Sequence, residues 1–129
     1  VLIVGVHWGV EYTDKPTNSQ RLIAKSLVEA GADVIAGHHP HWVQGIECID
    51  PKGVNTNPPD GCKYDATRRV EDAVPVFYSL GNFVFDQMWS EKTREGMVVE
   101  LTFTGSELID QQIFKTYMQN WSQPEFVDR

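Results

Sequence analysis

The sequence predicts an α/β fold in which a βαβ unit is followed by mostly antiparallel strands. Two short apolar runs, "VLIVGV" (1–6) and "DVIAG" (33–37), bracket a segment with helical signals. That order of strand, helix and strand makes a parallel pair. Farther along, "GMVVELTFT" (96–104) and "ELIDQQIFKTY" (107–117) flank Gly105-Ser106, the signature of an antiparallel hairpin with a two-residue turn. A length of 129 residues suits one domain, or part of one.

Each element has its own local reason. The first run is continuously apolar and rich in β-branched residues, which suits a central strand covered on both faces. "VEYTDKP" (10–16) then reads as a loop. Thr17 and Gln20 have the spacing of a capping box, Leu22, Ile23, Leu27 and Val28 form an apolar stripe, and Gly31 is a natural stop. "WVQGIECI" (42–49) and "VPVFYSL" (74–80) read as further strands, the latter ending at Gly81-Asn82. Between them, residues 50–73 are crowded with turn formers and charge, the composition of a long surface insertion. "FVFDQMWSEKTRE" (83–95) reads as a loop, and "MQNWSQPEFVDR" (118–129) is weakly patterned.

The formal charge of −7 argues against a nucleic-acid partner and against bulk attraction to an anionic membrane. No apolar run approaches the ~18 residues of a membrane span, so membrane association is expected only through segments outside this chain. The chain opens without Met inside an apparent strand, and the expectation is a segment of a longer protein. Two cysteines, Cys48 and Cys62, flank the start of the insertion. They read either as a disulfide formed in an oxidising compartment or as two unrelated thiols.

Histidine carries the strongest chemical signal. Three of the four histidines fall within "GHHPH" (37–41), directly after an apolar strand, and His7 ends the other strand of the βαβ unit. Parallel strands end on the same edge of a sheet, and neighbours lie about 5 Å apart. His7 and residues 38–41 are therefore expected on one carboxyl edge, where open α/β sheets bind ligands. Neutral imidazole is the commonest metal-binding side chain. His39 and His41, bent around Pro40, are candidate ligands with His7 as the third. His38 points the opposite way in an extended chain and is assigned to the surroundings. The alternative is a histidine-rich surface turn whose rings cap backbone groups. Trp8 and Trp42 could wall such a pocket or simply fill the core. Lys63, Arg68 and Arg69, or Lys92 and Arg94, could form a basic patch or be solvated surface charge.

"VHWGVEY", "AGADVIAGHHPHWVQGIE" and "VFYSLGNFVFD", followed by "TREGMVVELTF", resemble the CapA family of poly-γ-glutamate capsule synthesis proteins. That family lies within the calcineurin-like metallophosphoesterase superfamily. The resemblance implies that residues 1–129 are the C-terminal portion of a single domain, a metallophosphoesterase-like β-sandwich flanked by helices. It implies catalytic and metal-ligand roles for His7, His39 and His41, and a pocket role for Glu11, Asn82 and Asp86; at the position of His38 the family often has a different residue, in keeping with its place in the surroundings. Two divalent ions (Mn, Fe or Zn) are implied for the intact site. The superfamily's earlier ligand motifs are not in this chain, so this segment alone is expected to be inactive.

The function so implied is a metal-dependent hydrolase of phosphoesters or of a poly-γ-glutamate-related substrate, acting in the cell envelope. The alternative is a non-catalytic component that binds polymer or partner proteins in a capsule synthesis and export complex.

Overall fold

A computed structural model describes residues 1–51, 55–56, 62 and 73–127. In chain order the elements are β1 (Ile3–His7), α1 (Asn18–Glu29), β2 (Val34–His38), β3 (Ile46–Ile49), β4 (Asn55–Thr56), β5 (Val74–Phe77), α2 (Glu91–Arg94), β6 (Glu95–Thr104), β7 (Glu107–Met118) and β8 (Pro124–Phe126). They form a five-stranded sheet in the order β1-β2-β5-β3-β4 and a three-stranded sheet in the order β6-β7-β8. In the first, β1, β2 and β5 are parallel while β3 and β4 run antiparallel. The second is antiparallel throughout. The α/β class, the parallel βαβ pair and the later antiparallel strands agree with the sequence reading.

Alternation along β2 and β5 builds two cores, one on each face of the larger sheet. Ile35 and Val76 join Ala24 and Val28 of α1 on one face. Val34 and Phe77 join Met97, Val99 and Ile113 of the smaller sheet on the other. Successive strand residues point to opposite faces, so each strand serves both layers. The result is a sandwich with a helix outside it.

The helix begins as the sequence predicts. The Thr17 hydroxyl accepts from the Gln20 amide, and Gln20 Oε1 accepts from the Thr17 amide at 2.9 Å. At the other end Gly31 donates to Val28 and Ala32 donates to Leu27, closing a Schellman motif. The buried face differs from the expected stripe. Gln20, Ala24 and Val28 are buried, with Leu27 beside them, while Leu22 and Ile23 are exposed. The capping box sets the phase: it ties Gln20 inward, where its amide donates to Gln44 Oε1 at 2.9 Å.

Several strands also depart from expectation. β1 is an edge strand rather than a central one; among the described residues it pairs with β2 only, and Ile3 is exposed. β3 starts at Ile46, because Val43 makes an isolated bridge to Leu80 instead of joining the ladder. β5 stops at Phe77, and Leu80-Gly81 instead bridges toward β6. Ser90 caps the single turn of α2, where a loop was expected. The tail supplies β8, whose short pairing with Thr116–Met118 is decided by the long β7 beside it rather than by its own pattern. The expected hairpin is present around Gly105, with β7 extending to Met118.

Cys48 and Cys62 form a disulfide, packed with Ala73. Most of the expected insertion lies outside the described residues, as do Lys63, Arg68 and Arg69.

One glycine holds the site end of the sheet together. Trp8 is buried and donates from its indole to the Tyr78 carbonyl at 2.8 Å, crossing over Gly37. A Cβ on Gly37 would sit 2.2 Å from that carbonyl oxygen and 2.5 Å from the indole nitrogen. Gly37→Ala should therefore cost about 3 kcal/mol, since neither backbone nor indole can yield freely. Gly45→Ala, with open space around the new methyl, should stay within about 0.5 kcal/mol. Urea titration of both variants checks this.

Candidate metal centre

Pairing of β1 with β2 places His7 directly opposite His38. The pairing continues past the strands: the Trp8 amide donates to the His38 carbonyl, and the Tyr12 amide to the Pro40 carbonyl at 2.8 Å. The two loops leaving the sheet are thus zipped together, and Glu11 arrives beside the histidines. A second tether lies beneath. The buried Gln44 amide donates to the Thr13 carbonyl at 3.0 Å and to the Lys15 carbonyl at 3.2 Å.

One ligand atom each from Glu11, His39 and His41 lie within 4.8 Å of one another. Glu11 Oε1 stands 3.8 Å from His41 Nε2. His7 is adjacent, its ring centroid 4.5 Å from that of His39, but the mutually close set takes Glu11 as its third member. His38 is exposed at the end of β2, and Asp86 is exposed on the connection between β5 and α2, without a side-chain hydrogen bond or ion pair among the described residues.

Hydrogen bonding fixes the state of one ring. Asn82 is buried, and its amide nitrogen donates to the Thr93 carbonyl at 2.9 Å and to Gln87 Oε1 at 3.3 Å. Asn82 Oδ1 is left to face His41 Nδ1 at 2.9 Å. An amide oxygen can only accept, so Nδ1 carries a proton, which in the neutral ring puts the lone pair on Nε2. That lone pair is on the Glu11 side. Tyr12 stacks at 5.8 Å on one side of the His41 ring, and Phe85 lies at 5.1 Å. Gln87 closes the circuit by donating to the Tyr12 hydroxyl at 3.1 Å.

The backbone is strained where these groups meet. Among the described residues, four that are not glycine have positive φ: Tyr12 (59°), His39 (100°), His41 (62°) and Trp121 (56°). Three of the four belong to this cluster, and each such conformation costs of order 1–3 kcal/mol. The strain falls where the side chains of Glu11, His39 and His41 converge.

Sequence reasoning singled out Glu11, His39, His41 and Asn82, and assigned Glu11 a pocket role only. It missed Tyr12, Gln87 and Thr93. Tyr12 follows Glu11 directly, which was a usable signal; Gln87 and Thr93 enter through an amide network that no spacing announces. Trp8 proves to be core, stacked on Tyr78 at 5.6 Å. Trp42 lies beside the site, with Lys92 Nζ 4.5 Å above its ring. Lys92 also holds Asp14 at 3.1 Å, and that hydrogen bond keeps the Asp14 carboxyl below its ordinary range.

Two imidazole nitrogens and a carboxylate are a donor set suited to Mn, Fe, Co or Zn. The mutual closeness of the donors and the fixed proton on His41 both fit a divalent cation.

Comparison with known proteins shows the family. Residues 1–87 match the family model described as bacterial capsule synthesis protein PGA_cap. The chain is 37% identical over 112 residues to "Capsule biosynthesis protein CapA" of Bacillus anthracis, covering 85% of this chain and 22% of that protein. It is 38% identical over 100 residues to "PGA biosynthesis protein CapA" of Bacillus subtilis (strain 168), covering 78% of this chain and 20% of that protein. The chain thus spans about a fifth of the length of these curated relatives. With a family model matching more than half its length, this chain belongs to the bacterial capsule synthesis protein family PGA_cap, together with the CapA proteins.

Proposed function

We propose that this segment supplies part of the metal centre of a divalent-metal-dependent hydrolase, of the phosphoesterase type, that works in capsule biosynthesis. The observation that carries the reading is the convergence of Glu11, His39 and His41 on one point, with both histidine backbones strained. Kinship with CapA proteins supports the capsule setting.

In this reading Glu11, His39 and His41 hold a divalent cation, with His7 beside them. A bound divalent cation supplies Lewis acidity toward a phosphoryl oxygen and acidifies water. The chain's own residues do the rest. Asn82 keeps the proton on His41 Nδ1, so Nε2 stays available as a donor. Tyr12 and Phe85 wedge the His41 ring and limit its rotation. His7, in ring contact with His39 but outside the close set, is free to steady charge or pass a proton at the leaving oxygen. A second ion would need ligands from beyond these residues. The substrate is a phosphoester or a poly-γ-glutamate-related molecule, and the place of action is the cell envelope. Among the described residues no helix is long and apolar enough to cross a membrane.

In the whole protein, His39→Ala and His41→Ala should each lower bound metal below the wild-type stoichiometry. Each should also reduce turnover of p-nitrophenyl phosphate or bis(p-nitrophenyl) phosphate by about 100-fold or more. Metal content by mass spectrometry and initial rates check both; full turnover without metal would contradict the reading. Asn82→Ala should weaken metal affinity by about 10–100-fold, the usual effect of losing a partner behind a ligating histidine. Competition with a chelating dye measures that change.

A further inference from the structure

The inner faces of the two sheets part company at one end. In the β6–β7 hairpin, Val99 faces Ile113, Met97 faces Lys115, and Glu95 faces Tyr117. Directly opposed residues share a face. The face that is aliphatic at Val99, Ile113 and Met97 therefore continues with a lysine, a glutamate and a tyrosine. A sandwich core would continue with apolar side chains. Glu95 and Lys115 are exposed, so beyond Met97 this face is open to solvent and is not filled as core.

A cavity of about 690 Å³ opens there, between the hairpin, the Val43–Glu47 segment and the Asp14–Arg21 turn. Its apolar wall is Val43, Ile46, Met97 and Ile113, and none of the four histidines lines it. The size and the apolar lining with a few polar groups are those of small-molecule sites. The charges on its wall are mostly answered within the protein. Glu47 takes the Arg21 guanidinium at 2.7 Å and the Tyr78 hydroxyl at 2.7 Å, and Asp14 takes Lys92. Burial, with the Glu47 hydrogen bond, pushes the Tyr78 phenol far above its ordinary range, so it remains a donor. Lys15 and Lys115 have no ion-pair partner among the described residues, and they outnumber the remaining acid, Glu95.

We propose that this cavity binds a small amphipathic organic anion, its apolar body against Val43, Ile46, Met97 and Ile113 and its acidic end at Lys15 and Lys115. The site is separate from the histidine cluster and does not depend on metal.

The probe is 8-anilinonaphthalene-1-sulfonate, an aromatic body carrying one sulfonate, titrated into the whole protein and followed by fluorescence. Saturable binding is expected, weakened about tenfold by the double variant Lys15→Glu/Lys115→Glu, in which attraction becomes repulsion. Lys25→Glu, on α1 and not among the residues that line the cavity, should leave it unchanged. Ile113→Trp should block the site by filling it. Thermal melting of each variant confirms folding, and the lysine variants carry the test if the tryptophan variant does not fold. Absence of binding to the wild type, or affinity untouched by the double lysine variant, or equal loss in Lys25→Glu, overturns the proposal.

Discussion

The structure depends on the parallel pairing of β1 with β2 and on its continuation beyond both strands. Backbone hydrogen bonds from Trp8 to His38 and from Tyr12 to Pro40 extend the pairing into the loops. Residues about thirty positions apart in sequence are thereby held side by side without needing any attraction between their side chains. The pairing in turn relies on Trp8, whose indole is anchored to the Tyr78 carbonyl across a residue that has no side chain. Packing on one side of the sheet and side-chain convergence at its edge are parts of one arrangement.

The loops that leave this edge are also held from behind. Gln20, positioned by its own role in capping α1, holds Gln44, and Gln44 holds the carbonyls of Thr13 and Lys15. On the other side the smaller sheet intervenes. The bridge between Gly81 and Gly96 brings Asn82 under His41, and a Cβ on Gly96 would lie 2.1 Å from the Asn82 carbonyl oxygen. Close approach of the two sheets is thus what lets an asparagine from one connection orient a histidine from another. Left-handed backbone at Tyr12, His39 and His41 is retained because these tethers over-determine it.

Much of this was legible in the sequence, for identifiable reasons. The capping box, the Gly31 stop and the hairpin turn are local devices, and each formed where its residues stand. The shared edge for His7 and the GHHPH cluster followed from strand order alone. What escaped depended on partners remote in sequence. Leu22 and Ile23 look like a core stripe until Gln20 is seen to be the inward residue. The first apolar run reads as central because its composition says nothing of its neighbours, and among the described residues it has one. Glu11 became a member of the close set, in place of His7, through a backbone turn at Gly9 and Tyr12 that no hydrophobic period reports.

The central claim is that an acid and two imidazoles from separate loops meet at one cation. Crystals of the whole protein grown with manganese and measured at the manganese absorption edge test it most directly. The account predicts an anomalous peak about 2.0–2.4 Å from a nitrogen of His39, from Nε2 of His41 and from a Glu11 oxygen. A peak bound elsewhere, or one that leaves His41 Nε2 and Glu11 more than about 4 Å away, would contradict it.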